Sequence, residues 1–332
     1  MGGFGGMGDA VAIGRGARLL PALVATLRFQ AVTTPRLLRA HDEVVGPLVD
    51  AAVAGGDDRR HLRAALRSAG AKYGSAVVGY ANMVGASFGP DVAVLAGAFA
   101  RLYDDLIDEV DDPTVDDRVA DLIQGRPYRP ATDLEALLGG LFAALLDRLE
   151  GMHREPALST FARLHDAQRR SRHQRDPTLT DDELVAITAA KGSLGAAVLF
   201  ALVQPVPTPV QADLVRRIGA VVQELDDYQD LPADRAGGIR TPAGRGTATL
   251  GTTIAGLTAL RVPMARAYGR RASRPFAGML YELALAAFAA RRLRWVLRLR
   301  PATRARPVVD VLGRQGPSVI FPARRPAVRA RP

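Results

Sequence analysis

The chain of 332 residues contains no cysteine, one asparagine, one tryptophan, five histidines and only two lysines. Without thiols there is no disulfide framework, no thiolate nucleophile and no Cys-built zinc site. Five scattered histidines leave little for an imidazole-built metal site, so any bound metal has to be held by carboxylates. Strand signals are scarce too, because β-branched residues do not alternate. No uninterrupted apolar run reaches the roughly 18–20 residues that span a bilayer. The longest, at 134–146 and 194–203, are short and rich in Ala and Gly. The apolar run at 19–27 lies behind Arg15 and Arg18 like a short signal core, but Arg28 follows it with no A-x-A cleavage site, which predicts a cytoplasmic protein.

What is present is material for one large core: 48% hydrophobic and 23% charged residues exclude a disordered chain. Ala, Leu and Arg dominate windows of 3.6-residue periodicity, which predicts an all-α fold. One helix should open at Gly89-Pro90-Asp91 and run through Val92, Leu95, Phe99, Leu102, Leu106 and Val110. A second should start at the capping box Thr180–Glu183, with Gly192 and Gly195 placed to bend it. A third follows the Pro-rich stretch 203–209 and should stop near Pro232. A fourth covers 134–149. No repeat and no long linker divides the chain, so the expected organisation is an extension (1–19), one helical domain (20–300) and a basic tail (301–332).

The net charge of +10 suggests a nucleic-acid or membrane partner until it is located. Residues 291–332 hold 12 Arg against one acid, Asp310, leaving residues 1–290 close to neutral. Nucleic-acid binding would need basic residues interleaved with aromatics on a structured face, and none is visible. Residues 281–300 read as an amphipathic helix, with Leu283, Phe288, Leu293 and Val296 opposite Arg291, Arg292, Arg294 and Arg298. With its tail it is either a solvated last helix or a contact to anionic lipid.

Chemistry concentrates in two carboxylate clusters. Residues 104–112 carry six acids, and helical geometry puts Asp104, Asp105 and Asp108 on the face opposite Leu95, Leu102 and Leu106. Like charges one turn apart cost a few tenths of a kcal/mol when exposed, a penalty that a divalent cation reverses. Mg²⁺ prefers one or two carboxylates, water and substrate phosphate to a full protein cage. The same D-D-x-x-D spacing returns at Asp226, Asp227 and Asp230, 122 residues later and again turned away from an apolar stripe. Two such triads can face each other across a cavity with cations and a diphosphate between them.

These residues resemble the class I isoprenoid synthases, and within them the trans-prenyl diphosphate synthases, over about residues 60–260. Asp104-Asp105-Leu-Ile-Asp108 is similar to the family's first aspartate-rich motif. Asp226-Asp227-Tyr-Gln-Asp230, with Gln223 ahead of it, is similar to the second. Lys191 in Ala-Lys-Gly-Ser and Lys72 in Gly-Ala-Lys-Tyr match the family's diphosphate lysines, and Gln168 stands where the family often has G-Q. Both lysines of the chain therefore fall on diphosphate positions, where a mobile ammonium suits phosphate oxygens. The resemblance implies a helical bundle around a central cavity, three Mg²⁺ ions as cofactor, and ionisation of an allylic isoprenyl diphosphate. It implies that the stretch 231–250, with Asp234, Arg235, Gly237, Gly238, Arg240 and Arg245, closes over the diphosphate. Phe99, Tyr103, Tyr73 and Leu194 are the candidate pocket residues, Phe99 as a floor for the chain.

Where the family binds isopentenyl diphosphate, this chain departs from it: the positions read Tyr73, Ala96 and Pro113-Thr114. That favours a one-substrate reaction, cyclisation or elimination to a terpene, over chain elongation. The Asn-led metal triad of ordinary bacterial cyclases is missing, since Asn82 precedes the first motif. Extended to Asp234, the second motif is also similar to that of head-to-head prenyltransferases. A chain-elongating or head-to-head prenyltransferase, a silent partner subunit and a basic membrane-binding protein are the alternatives. A homodimer is left open.

Overall fold

The structure is a computed structural model that describes residues 20–53, 56–109, 112, 114–149 and 151–299, without the side chains of 20, 57, 58, 108, 109, 152, 233 and 290–299. The extension, the basic tail and the charged face expected at 291–300 lie outside the described side chains. Among the described residues there are helices and no strand. In chain order they are α1 (Leu20–Val44), α2 (Gly46–Ala52), α3 (Gly56–Val84), α4 (Pro90–Glu109), α5 (Val115–Ile123), α6 (Asp133–Leu146) and α7 (Gly151–Ser171). A 3₁₀ turn (Arg172–Arg175) follows, then α8 (Asp181–Ala201), α9 (Pro209–Ala236), α10 (Pro242–Arg245), α11 (Leu250–Tyr268) and α12 (Ser273–Leu299).

Helix α4 is the centre of the bundle. Pro90 starts it and Asp91 complements the dipole in its first turn. Val92 through Ala96, Ala98, Phe99, Leu102, Tyr103, Leu106 and Ile107 are all buried, so this helix is covered on nearly every side rather than along one stripe. The capping box at Thr180 starts α8: its hydroxyl accepts from the Glu183 N–H and the Glu183 carboxylate accepts from the Thr180 N–H.

Two glycine crossings set the spacing of the bundle. Gly97 of α4 lies against α3, where an added Cβ would meet Gly70 Cα at 2.9 Å and the Ala69 carbonyl at 3.0 Å. Gly192 of α8 lies against Gly219 of α9, where a Cβ would collide with the Gly219 carbonyl and come within 2.5 Å of Gln223 Cβ. Gly192 therefore does not bend α8, which is continuous; it lets α8 and α9 touch backbone to backbone. Gly195 has no such neighbour within 4 Å. Gly195→Ala should stabilise the bundle by about 0.4–1 kcal/mol through helix propensity, read as a higher thermal midpoint, whereas Gly192→Ala should lower it.

One expectation about helix length needs correction. The third predicted helix does not stop at Pro232: α9 runs through it to Ala236, and Pro35, Pro156 and Pro263 also lie inside helices. An interior proline costs about 3 kcal/mol by removing a donor and crowding the carbonyl four residues back, a cost that long helices held by tertiary packing absorb. No uninterrupted apolar run reaches membrane length, since Lys191 interrupts α8. Helix α8 is long and apolar enough to cross a membrane by length and composition, although only 22% of the qualifying window is buried. The reason for the low burial is local. One face, through Thr188, Lys191, Gly195, Ala196 and Leu199, lines a large cavity, and the other, through Ala189, Ser193, Leu194 and Ala197, lines a smaller pocket.

Candidate active site

A cavity of about 840 Å³ lies inside the bundle, walled by α1, α3, α4, α6, α7, α8, α9 and α12. Asp104 and Asp105 reach it from α4, and Asp226, Asp227, Asp230 and Asp234 from α9. Asp108 belongs to α4, but its side chain lies outside the described residues. Asp112 does not belong to the cluster: it accepts from Arg118, Thr114 Oγ1 and the Thr114 N–H, which hold its carboxyl down at about 2. Among the described residues no three Asp, Glu or His side chains converge into a ready metal cage. The acids sit instead on two helices, a donor set suited to Mg²⁺ that shares its coordination with water and phosphate oxygens.

Tyr73, half-buried on α3, reports how close the two clusters come. Burial raises its hydroxyl pKa first, and the charges of Asp104, Asp226 and Asp105 raise it further, against Arg101. Carboxylates of both clusters thus act on one side chain. Lys72 also lines the cavity, its Nζ 5.6 Å from the Tyr73 ring centroid. Lys191 of α8 lines the cavity too and acts on Asp227. The glycine crossings explain the placement: Gly70 and Gly192, which bring the helices together, lie two residues before Lys72 and one after Lys191.

Asp227 is a strongly perturbed acid of the second cluster. It is buried, and desolvation pushes its carboxyl up to about 6; Asp226 adds to the rise, while Gln223, Lys191 and Thr188 oppose it. Gln223 Nε2 donates to Oδ1 at 3.1 Å and Thr188 Oγ1 to Oδ2 at 3.3 Å. On α4, Asp105 is equally buried and accepts from Arg101 Nε at 2.9 Å.

Gln168, buried on α7, lines the cavity. Phe99 does as well, within an aromatic group in which its ring centroid lies 5.3 Å from Phe142 and 5.1 Å from Phe161. Tyr103 joins that group at 5.1 Å from Phe161 and bonds His165 Nδ1 at 3.0 Å, while His165 Nε2 lies 3.1 Å from the Asp116 carbonyl. Seven of the 18 aromatics line the cavity, adding Tyr73, Phe200 and Phe276 to this group. Low aromatic content is therefore offset by concentration at one place.

Other expected residues lie elsewhere. Leu194 lines the smaller pocket of about 450 Å³ on the opposite face of α8. Arg235 is exposed in the last turn of α9. Arg240 donates to the carbonyls of Asp176 at 2.6 Å and Leu179 at 3.0 Å, and its N–H to the Gln174 carbonyl at 2.9 Å. Arg245 pairs with Asp181 at 2.9 Å. These two residues tie the stretch after α9 to the 3₁₀ turn, to the loop that follows it and to the start of α8, while Gly237, Ile239 and Thr241 edge the cavity. The arginines that line it are Arg101, Arg172 and Arg175. Arg172 clamps Asp116 and donates to the Ile107 carbonyl at 3.0 Å. Arg101 had a sequence signal in its i, i+4 spacing to Asp105; Arg172 and Arg175 had none beyond a local run of basic residues.

No protein-family model matches the chain, and no curated protein matches it. Among solved structures, a geranyltransferase from Legionella pneumophila is similar, with 16% identity over 81% of this chain and 99% of that one and a TM-score of 0.49.

Proposed function

We propose that the chain is a class I isoprenoid synthase of prenyl-synthase type that ionises an allylic diphosphate and converts the resulting cation to a terpene. The observation that carries this reading is one cavity receiving two separated aspartate clusters, both lysines of the chain and an aromatic end. Bound Mg²⁺ would supply Lewis-acid stabilisation of the leaving diphosphate, with Asp104, Asp105 and Asp108 on one side and Asp226, Asp227 and Asp230 on the other as its holders. Lys72 from α3 and Lys191 from α8 bring ammonium groups to diphosphate oxygens, and charge building on those oxygens as the C–O bond breaks strengthens both contacts. Phe99, Phe142 and Phe161 enclose the hydrocarbon in a dry pocket, where their π-faces stabilise the cation. At Tyr73 and Ala96 the chain lacks the charged side chains that in chain elongation hold a second diphosphate, so a one-substrate outcome is favoured.

Geranyl, farnesyl and geranylgeranyl diphosphates, each with and without isopentenyl diphosphate, followed by gas chromatography and mass spectrometry, separate the outcomes. A hydrocarbon or alcohol from one allylic substrate alone is expected. Longer diphosphates formed only with isopentenyl diphosphate would replace the reading by elongation.

The raised Asp227 carboxyl makes cation binding depend on pH. Below about 6 it holds a proton that a cation must displace, so Mg²⁺ affinity should rise by up to about tenfold per pH unit toward 6 and level off above it. Calorimetric titration between pH 5 and 8 reads this directly, and Asp227→Asn should flatten the profile.

A further inference from the structure

Arg101 lies one turn before Asp105 on α4, at the cavity wall. Its Nε edge is fixed on Asp105 Oδ2 at 2.9 Å, and its side chain is 17% exposed. The Nη2 group is shielded from solvent and meets no acceptor among the described residues. A charged donor left unmatched inside a wall is costly, and native structures rarely keep one without a use. A guanidinium has a planar fork that can hold a carboxylate along one edge and a phosphate oxygen along another, which an ammonium cannot do. The surroundings limit the choice of acceptor. Arg101 lines the same cavity as the acids of both clusters, and Tyr73, on which carboxylates of both clusters act, also feels its charge.

We propose that Arg101 is a cationic partner built into the first carboxylate cluster: it holds Asp105 through Nε and takes a diphosphate oxygen through Nη2. This rests on the function proposed above and adds to it a residue with two opposed effects. By pairing with Asp105 the guanidinium competes with a divalent cation for that carboxylate, so it weakens cation binding in the absence of diphosphate. By donating to the diphosphate it strengthens binding of the anion once cations are in place. The first cluster would then load its cation together with the diphosphate rather than ahead of it.

The test is calorimetric titration of the full chain with MgCl₂ alone, and with inorganic pyrophosphate at saturating Mg²⁺. Arg101→Gln should bind Mg²⁺ several-fold more tightly and pyrophosphate roughly ten- to hundred-fold more weakly. Arg101→Lys keeps a charge beside Asp105 but has no second edge; it should leave Mg²⁺ affinity near that of the unmodified protein and still weaken pyrophosphate. Movement of the two affinities in opposite directions is a signature that simple structural damage does not give. Arg101→Gln with both affinities unchanged, or with both lowered together, would overturn the proposal. If Arg101→Gln does not fold, unweakened pyrophosphate binding by Arg101→Lys would overturn it equally. An unmodified protein that binds neither probe would instead sink the function reading, and this inference with it.

Discussion

Asp227→Asn is expected to lower Mg²⁺-dependent turnover of an allylic diphosphate by about 10²–10³-fold while making the protein more stable at neutral pH. Both effects have one cause. The carboxyl is buried beside Asp226, and its pKa in the folded chain is raised from 3.8 to about 6. A raised carboxylate pKa means that the folded state binds the proton more tightly than the unfolded chain does. Stability therefore falls as pH climbs from about 4 to about 6, and the full cost persists above that window. Asparagine keeps the shape, retains partners for Gln223 and Thr188, and never carries the charge. The gain should be on the order of 1–3 kcal/mol at pH 7 and should vanish below about pH 4. Thermal melts of both proteins at pH 4 and pH 7, set beside turnover, check the two halves together. A variant that lost stability at pH 7 and kept its activity would contradict the assignment of Asp227 as a strained functional acid.

Gly192→Val should have a large structural effect on the cavity wall. A branched side chain at this crossing meets the Gly219 backbone and Gln223 Cβ, neither of which can swing away as a flexible side chain does. Overpacking of this kind costs about 1–3 kcal/mol and occasionally more. If the protein folds, α8 and α9 must separate, carrying Lys191 and Thr188 away from Asp227. The variant should then lose diphosphate binding and release the Asp227 carboxyl from the Thr188 contact. Gly219→Ala, which would collide with the Gly192 carbonyl and come within 2.8 Å of Ala196 Cβ, should behave alike. Gly195→Val, one turn along on the open face, should fold normally. Chemical denaturation and pyrophosphate titration of the three variants distinguish a crossing that positions the site from one that only packs.

The parts of this architecture that sequence could reach are those written in local chemistry. The start of α4 needs only Pro90 and Asp91, and the start of α8 only Thr180 and Glu183, so both could be placed from a few residues. The two D-D-x-x-D spacings were readable because one helical turn puts their acids on one face. The lysines stood out because only two exist among 44 basic residues. What escaped depends on long-range contacts. Whether Gly192 bends a helix or seats one is decided by Gly219, 27 residues away. Pro232 reads as a terminator until the packing around α9 outweighs it. Arg240 and Arg245 were expected at the diphosphate from their place in the chain, but carbonyls at Asp176 and Leu179 and the carboxylate of Asp181 hold them. Arg172 took a place on the cavity wall through contacts to Asp116 and Ile107 that no spacing encodes. Arginine is so common in this chain that its identity carries little information, and only its contacts do.

The central claim is that the two aspartate clusters act on one diphosphate in one cavity. The most direct measurement is Mg²⁺-dependent release of pyrophosphate from geranyl, farnesyl or geranylgeranyl diphosphate, for the unmodified protein, Asp104→Ala and Asp227→Ala. Release should require Mg²⁺ and at least one of the three substrates, and each single substitution should abolish most of it, since neither cluster suffices alone. Release that survives intact in either variant, or that proceeds unchanged in a chelator, would contradict the account.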